Sequence, residues 1–543
     1  MPIINALKFH KKNPSRNIAA WLSLAILLAL GIFFRFHNLE KKVFWYDEIH
    51  AQLWATGQSW VEVRDSIAAI EMPAKELERS LRIDPARGPL DVIQAIVKDD
   101  PQHTPLYYLL LHFWMRTFGE SIWTIRALSV IVGLLIFPCL YWLCCELGAG
   151  KRMAFISLAL AAVCPFYVIY AQEARQYCLW SVETLLASCL LLRAGRLNRA
   201  REWLLYGVTV SAGLYTHLLF ATVIAAHATY VIVYFIWSRE QKANGKVPLI
   251  PFLVAVAIAC LTFAPWCSLL LQNMGQADKH LGWSQQKVSL LYLIGMWGYN
   301  FSSLLLDTNH SIRFVEQYDI LLMLDYFFRA GFLLLMTWAL AFVSLRAPHR
   351  LRFFVLSLAG VPFLALALPD LFLGGMRSGG GHRFLVPSYL GIMFAIPYLL
   401  DCGMNDDRLW ARRSRQMLGV LLCAGIVSLA AYDRADTWWT KPISYYLPRI
   451  SRTINQSPRP LLISNISVDL LTLSHLLAPH VRVLPVRKPD SLIISDSSMD
   501  LFVYAPSPAL LKRLTTDLDF TMKTVDERGK LWRLEHRRAT ITF

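Results

Sequence analysis

Long apolar runs recur along this 543-residue chain, and no other feature constrains its fold as much. A run of about 18 or more apolar residues is long enough to cross a bilayer as a helix. Such runs, some shorter, are read at 18–36, 126–147, 154–170, 178–192, 203–215, 218–237, 249–271, 326–345, 353–368, 384–400 and 417–432. The expectation is a mainly α, polytopic membrane protein with about eleven transmembrane helices in a domain 1–432. Shorter apolar stretches at 106–118 and 288–306 read as interfacial or re-entrant.

Composition agrees: 55% of residues are hydrophobic and 17% charged, which excludes an ordinary soluble domain. The net charge of +16 raises nucleic-acid binding as a function, but the position of the charge excludes it. Lys and Arg gather in short loops at 151–152, 193–201, 239–246, 346–352 and 408–415, with no basic stripe interleaved with aromatics. Loops of this kind mark the cytoplasmic side. They alternate consistently with the basic start at Lys8, Lys11, Lys12 and Arg16, so the N-terminus is expected in the cytoplasm. The first run is long, lacks a small-residue cleavage pattern, and reads as a retained anchor. The ten cysteines lie almost entirely within apolar runs, with no CxxC or metal spacing, and read as small core residues.

The opposite face carries the chemistry. The first external region, 37–125, begins with Phe44-Trp45-Tyr46-Asp47-Glu48-Ile49-His50. Aromatics settle at the lipid–water boundary. Carboxylates among them are partly desolvated, which raises their basicity and makes them proton acceptors. Asp47 reads equally well as a cap of the helix that follows. Stretches 61–82 and 89–98 read as helices along the membrane surface. His103 is either a turn residue or, with a neighbouring carboxylate, a metal ligand. Glu173 and Arg175 end a span, either as an interfacial pair or as functional groups. Gly379-Gly380-Gly381-His382-Arg383, with Arg377 nearby, is either a flexible loop or a phosphate cradle with forked donors. Residues 433–543 alternate strand-like runs (461–464, 501–504) with helical ones (467–478, 508–518), giving a small α/β external domain in which no site is evident.

A carboxylate base, several arginines and access to lipid suit transfer from a lipid that carries phosphate. The base takes a proton from an acceptor hydroxyl, and the arginines or a metal stabilise the departing oxyanion.

The ordered set Trp45-Tyr46-Asp47-Glu48, His103-Thr104-Pro105-Leu106-Tyr107-Tyr108, Gln172-Glu173-Ala174-Arg175-Gln176-Tyr177 and His382-Arg383-Phe384-Leu385-Val386-Pro387 resembles the bacterial branch of the protein O-mannosyltransferase superfamily. These are membrane glycosyltransferases of the C-type fold, and they include the lipid A aminoarabinose transferases. The resemblance spans roughly 18–432 and says little about the sugar. It implies a polyprenyl-phosphate sugar donor, an envelope acceptor (glycolipid, lipopolysaccharide or protein), and transfer at the periplasmic face of the bacterial inner membrane. It makes Asp47 the essential acid and general base, with Glu48 and Glu173 as supporting acids. It makes Arg383 a contact of donor phosphate; from their place on the same face Arg126 and Arg175 are expected as phosphate or structural partners, and Arg377 and His382 as further phosphate-binding residues. Where aminoarabinose transferases have a Glu metal ligand this chain has His103, so a divalent metal ion held by His103 and Glu48 is a candidate cofactor. Gln-Glu-Ala-Arg stands where those enzymes have another motif, so lipid A modification by aminoarabinose does not carry over. The competing class is a transporter or flippase of a lipid-linked sugar, which needs ionisable residues at mid-membrane and an inverted repeat. Here those residues sit at span ends on one face, and no clear repeat is seen.

Overall fold

The computed structural model describes residues 14–240, 248–276, 282–308, 320–494, 499–526 and 529–536. The basic residues Lys8, Lys11, Lys12, Lys242 and Lys246 lie outside them. Among the described residues, nine helices are long and apolar enough to cross a membrane. The pair Lys151–Val163 and Pro165–Ala171, bent by 53°, makes a tenth if it is one span. The remaining expected span is the helix Ala200–Thr216, too short at 17 residues to count with the others. About eleven thus becomes nine to ten, although every apolar run is helical. The chain is a multi-pass membrane protein.

The 53° bend has a local cause. Proline disfavours helical backbone in the residue before it, and Cys164, ahead of Pro165, is extended (ψ 119°). The bend leads into a turn, 172–176, that lies wholly inside the protein. Close helix contacts use residues without side chains, as they do where hydrophobic burial cannot drive association. A Cβ on Gly391 would lie 2.6 Å from the Ala359 nitrogen of the neighbouring helix. The helices Tyr177–Leu197 and His382–Met404 are the most enclosed, and the first, Ile18–Phe36, keeps most of its apolar side chains facing outward.

In the first external region, Tyr46–Ala55, Trp60–Ser66, Pro89–Asp99 and Leu106–Phe118 are helices. Ser59 caps the second by accepting from Glu62 N. The expected continuous helix 61–82 is interrupted. Met72–Pro73 is extended (β1), and a 3-10 turn, Ala74–Leu81, follows. The reason is tertiary: β1 pairs antiparallel with Arg482–Val486 (β3) of the C-terminal region. The sheet has six strands in the order β1-β3-β2-β4-β6-β5, where β2 is Pro460–Asn465, β4 Asp500–Tyr504, β5 Phe520–Thr524 and β6 Leu531–His536. β3, β2 and β4 run parallel, while β6 is antiparallel to both β4 and β5. The C-terminal α/β region therefore shares its sheet with the first external loop.

Candidate active site

The helix Tyr46–Ala55 starts directly after the aromatic segment, with Trp45 as its N-cap. Its orphan Trp45 N–H is answered by Glu48 Oε2 (3.2 Å), so the cap is Glu48 and not Asp47. Glu48 is completely buried. Arg126 donates to it from Nε (2.8 Å) and Nη2 (2.6 Å), and Ala174 N donates at 2.9 Å. Arg126 gives its other hydrogens to the carbonyls of Leu39, Lys42 and Val43. All five guanidinium donors are used, as a guanidinium offers no more. The pair braces the first loop against the 172–176 turn and leaves nothing for a ligand. This corrects the expectation that Glu48 is a supporting acid or metal ligand and that Arg126 binds phosphate.

Loops normally run over the surface because their backbone needs water. The 172–176 turn is buried and correspondingly tied down. Gln172 reaches the Phe34 and His37 carbonyls and accepts from Lys42, and Gln176 accepts from Tyr108. Arg175 Nη1 donates to the Asp47 carbonyl (3.2 Å) and Nη2 to His103 Nε2 (2.8 Å). That bond makes His103 Nε2 an acceptor and leaves Nδ1, 3.1 Å from Asp100 Oδ2, to carry the proton. Glu173 Oε2 accepts from Lys441 Nζ at 2.9 Å. Glu173 Oε1 has no hydrogen-bond partner among the described residues.

The glycine-rich loop is organised by Asp370. It accepts from Arg377 N and Nη1 (3.0 Å each) and from Ser378 N (2.7 Å) and Oγ (2.6 Å). Gly374 (φ +79°) and Gly375 (φ +141°) supply the turn, in backbone that side chains rarely adopt. Arg377 Nη1 is held by this brace, and Arg377 is not among the residues lining the cavity described next, contrary to expectation. Beyond it, His382 and Arg383 enter a cavity of about 200 Å³, which Trp45, Asp47, Tyr170, Trp283, Gly380, Gly381 and Lys441 also line. Arg383 Nη1 lies 3.4 Å from Asp47 Oδ2, and its guanidinium sits over the Trp45 ring. His217 stacks on Trp180, where burial pushes it down to about 3.

The electrostatics differ from the expectation of a basic carboxylate. Burial raises the Asp47 carboxyl, but Arg175, Arg383, Lys441 and His103 more than offset it, and the net displacement is below the usual range. Burial drives Glu173 up and Lys441 down, each held back by the other. Arg175, Arg383 and Lys441 face Asp47 and Glu173, with the buried Asp100 carboxylate behind His103, so three cations meet three carboxylates. Among the described residues no three His, Cys, Asp or Glu side chains form a metal-holding group. With Glu48 paired, His103 bonded to Arg175 and cations around Asp47, the residues present do not fit a divalent metal.

Lys441 and its neighbours Trp438 and Trp439 belong to the region read from sequence as having no site. Trp438 Nε1 donates to the Val43 carbonyl and Trp439 Nε1 to Asp307. A signal was present in Trp438-Trp439-Thr440-Lys441, a cation among aromatics just past the last span. It is the same interfacial pattern that singled out Asp47.

The fold is that of the C-type membrane glycosyltransferases. Residues 102–268 match the family model described as dolichyl-phosphate-mannose-protein mannosyltransferase. The structure of ArnT from Cupriavidus metallidurans bound to undecaprenyl phosphate superposes with a TM-score of 0.51 at 14% identity, over 96% of this chain and 98% of that one. The apo ArnT structure gives 0.50 at 11% identity, with the same coverage. The archaeal oligosaccharyltransferase AglB from Archaeoglobus fulgidus, in complex with an inhibitory peptide and a dolichol-phosphate, gives 0.51 at 10% identity, over 86% of this chain and 65% of that one. No curated protein sequence matches.

Proposed function

We propose that the protein is a glycosyltransferase that moves one sugar from a polyprenyl-phosphate donor to an envelope acceptor (glycolipid, lipopolysaccharide or protein). The proposed location is the periplasmic face of a bacterial inner membrane, with the N-terminus cytoplasmic. The observation that carries this is the convergence of Arg175, Arg383 and Lys441 on Asp47 at a cavity at one end of the helix bundle. Guanidinium and ammonium donors gathered at one cavity suit the oxygens of a phosphate. The relatives' complexes with undecaprenyl phosphate and dolichol-phosphate support that choice of ligand.

In the proposed reaction, the bond between the sugar anomeric carbon and the phosphate oxygen breaks as the acceptor oxygen bonds to that carbon. The acceptor proton passes to Asp47, and polyprenyl phosphate departs. Asp47, with its acidity raised by the surrounding cations, is ionised at neutral pH and ready to accept. It is a weak base, so the proton moves late, once bonding to the sugar has acidified the hydroxyl. Arg383 and Arg175 stabilise the charge that grows on the phosphate. The cations do what a divalent ion would otherwise do.

Mass spectrometry of envelope glycolipids and glycoproteins from cells lacking the protein tests this reading. The expected result is loss of one sugar, restored by the wild-type gene. Accumulation of a carrier lipid on the wrong leaflet with no lost transfer chemistry would replace it with a flippase.

A further inference from the structure

We propose that Lys441, carried into the cavity by the segment after the last span, is a ligand of the donor phosphate that rests on Glu173 when the site is empty. The inference deepens the proposed function and rests on it.

The backbone around Lys441 is fixed. Trp438 and Trp439 are both buried, and their indole nitrogens donate to the Val43 carbonyl (2.9 Å) and Asp307 Oδ1 (3.0 Å). The side chain is a different matter. A lysine is a compact charge on a stem with four rotatable bonds, able to change partner without moving its backbone. Its Nζ lies 4.1 Å from the Trp45 ring centroid and 5.2 Å from that of Tyr170, both of which line the same cavity as Arg383. Its bonded carboxylate, Glu173, is entirely buried and keeps one oxygen unpartnered among the described residues. A pair built only for structure would satisfy both oxygens, as the Glu48–Arg126 pair does. The cavity wall also holds several polar groups left without partners. Trp45 Nε1, Arg383 Nε, Thr440 Oγ1 and Tyr299 OH, all on lining residues, are buried and have no partner among the described residues. Unanswered buried donors are rare and mark a place where a ligand or water completes the bonding. An anion rich in oxygen fits that wall. With phosphate in place, Lys441 can exchange Glu173 for a phosphate oxygen within the same aromatic cage.

Binding of undecaprenyl phosphate to the purified full-length protein in nanodiscs is the test, with melting temperatures recorded alongside. Lys441→Met should weaken binding by about 10- to 100-fold, the range for losing a charged hydrogen-bond donor. Lys441→Arg should restore part of it. Glu173→Gln removes the competing carboxylate and should bind at least as tightly as wild type. If Lys441→Met does not fold, Glu173→Gln/Lys441→Met, which buries no lone charge, is read in its place. Binding within twofold of wild type for the lysine variant, or an equal loss in Glu173→Gln, overturns the proposal and leaves a structural brace. The two readings fail separately. If the wild type does not bind undecaprenyl phosphate at all, the donor assignment itself is wrong. If Arg383→Met abolishes binding and Lys441→Met does not, only the lysine is wrong.

Discussion

Arg126→Met should cripple stability before it touches catalysis. The guanidinium supplies two of the four donors that hold the Glu48 carboxylate, and it serves three backbone carbonyls as well. Breaking a buried ion pair by removing one partner costs about 3–5 kcal/mol. Each carbonyl left dry adds about 1–3 kcal/mol where water cannot follow. Against a typical total of about 5–15 kcal/mol, this approaches loss of the fold. The stranded Glu48 charge accounts for about 3–5 kcal/mol of this cost, so Glu48→Gln/Arg126→Met should recover part of the lost melting temperature. Thermal challenge of the detergent-solubilised protein, followed by size-exclusion chromatography, reads both variants. The reasoning is refuted if Arg126→Met melts with the wild type, or if the double variant melts no higher than the single. A Glu48→Gln protein that is stable yet inactive would return Glu48 to the chemistry.

Two further outcomes follow from the geometry. Asp47 is held below the usual carboxylate range, so its charge persists as pH falls until the folded pKa is reached, while its stabilising share is full above the ordinary carboxylate range and is lost as pH falls from there through the folded pKa. Transfer rates should therefore show no acid limb due to Asp47 between pH 7 and 5. A limb in that window that disappears in Asp47→Glu would contradict the cation ring. Gly391→Ala places a methyl against the Ala359 backbone and should cost about 1–3 kcal/mol by overpacking, read as a lower melting temperature with unchanged donor affinity.

The membrane architecture was legible because apolar length and basic loops act over whole segments, where single-residue errors average out. Even the bend at Cys164 was written in Pro165, although its consequence, burial of the 172–176 turn, was not. The candidate site was half legible. Asp47, Arg175, His382 and Arg383 stand out as charged or ligand-type residues near apolar spans, and they do converge. Glu48 and Arg126 stand out for the same reason, yet they converge on each other. Sequence shows that a charge is expensive there but not which partner offsets it. Arg377 was absorbed by Asp370, seven residues away in a loop whose shape only the glycine backbone fixes. The broken helix at 72–73 had the opposite problem. Its local pattern was helical, and a strand more than 400 residues away overrode it. Lys441 escaped notice because the C-terminal region was read as a separate unit, whereas its first residues are part of the cavity wall.

If Asp47 is the base of a transfer from polyprenyl phosphate, purified Asp47→Asn should show it in single-turnover release of polyprenyl phosphate from a bound sugar donor. The variant is expected to fold, to bind donor and to release product about 10²–10⁴ times more slowly than wild type. Release at the wild-type rate would contradict it, because the proton would then leave by another route.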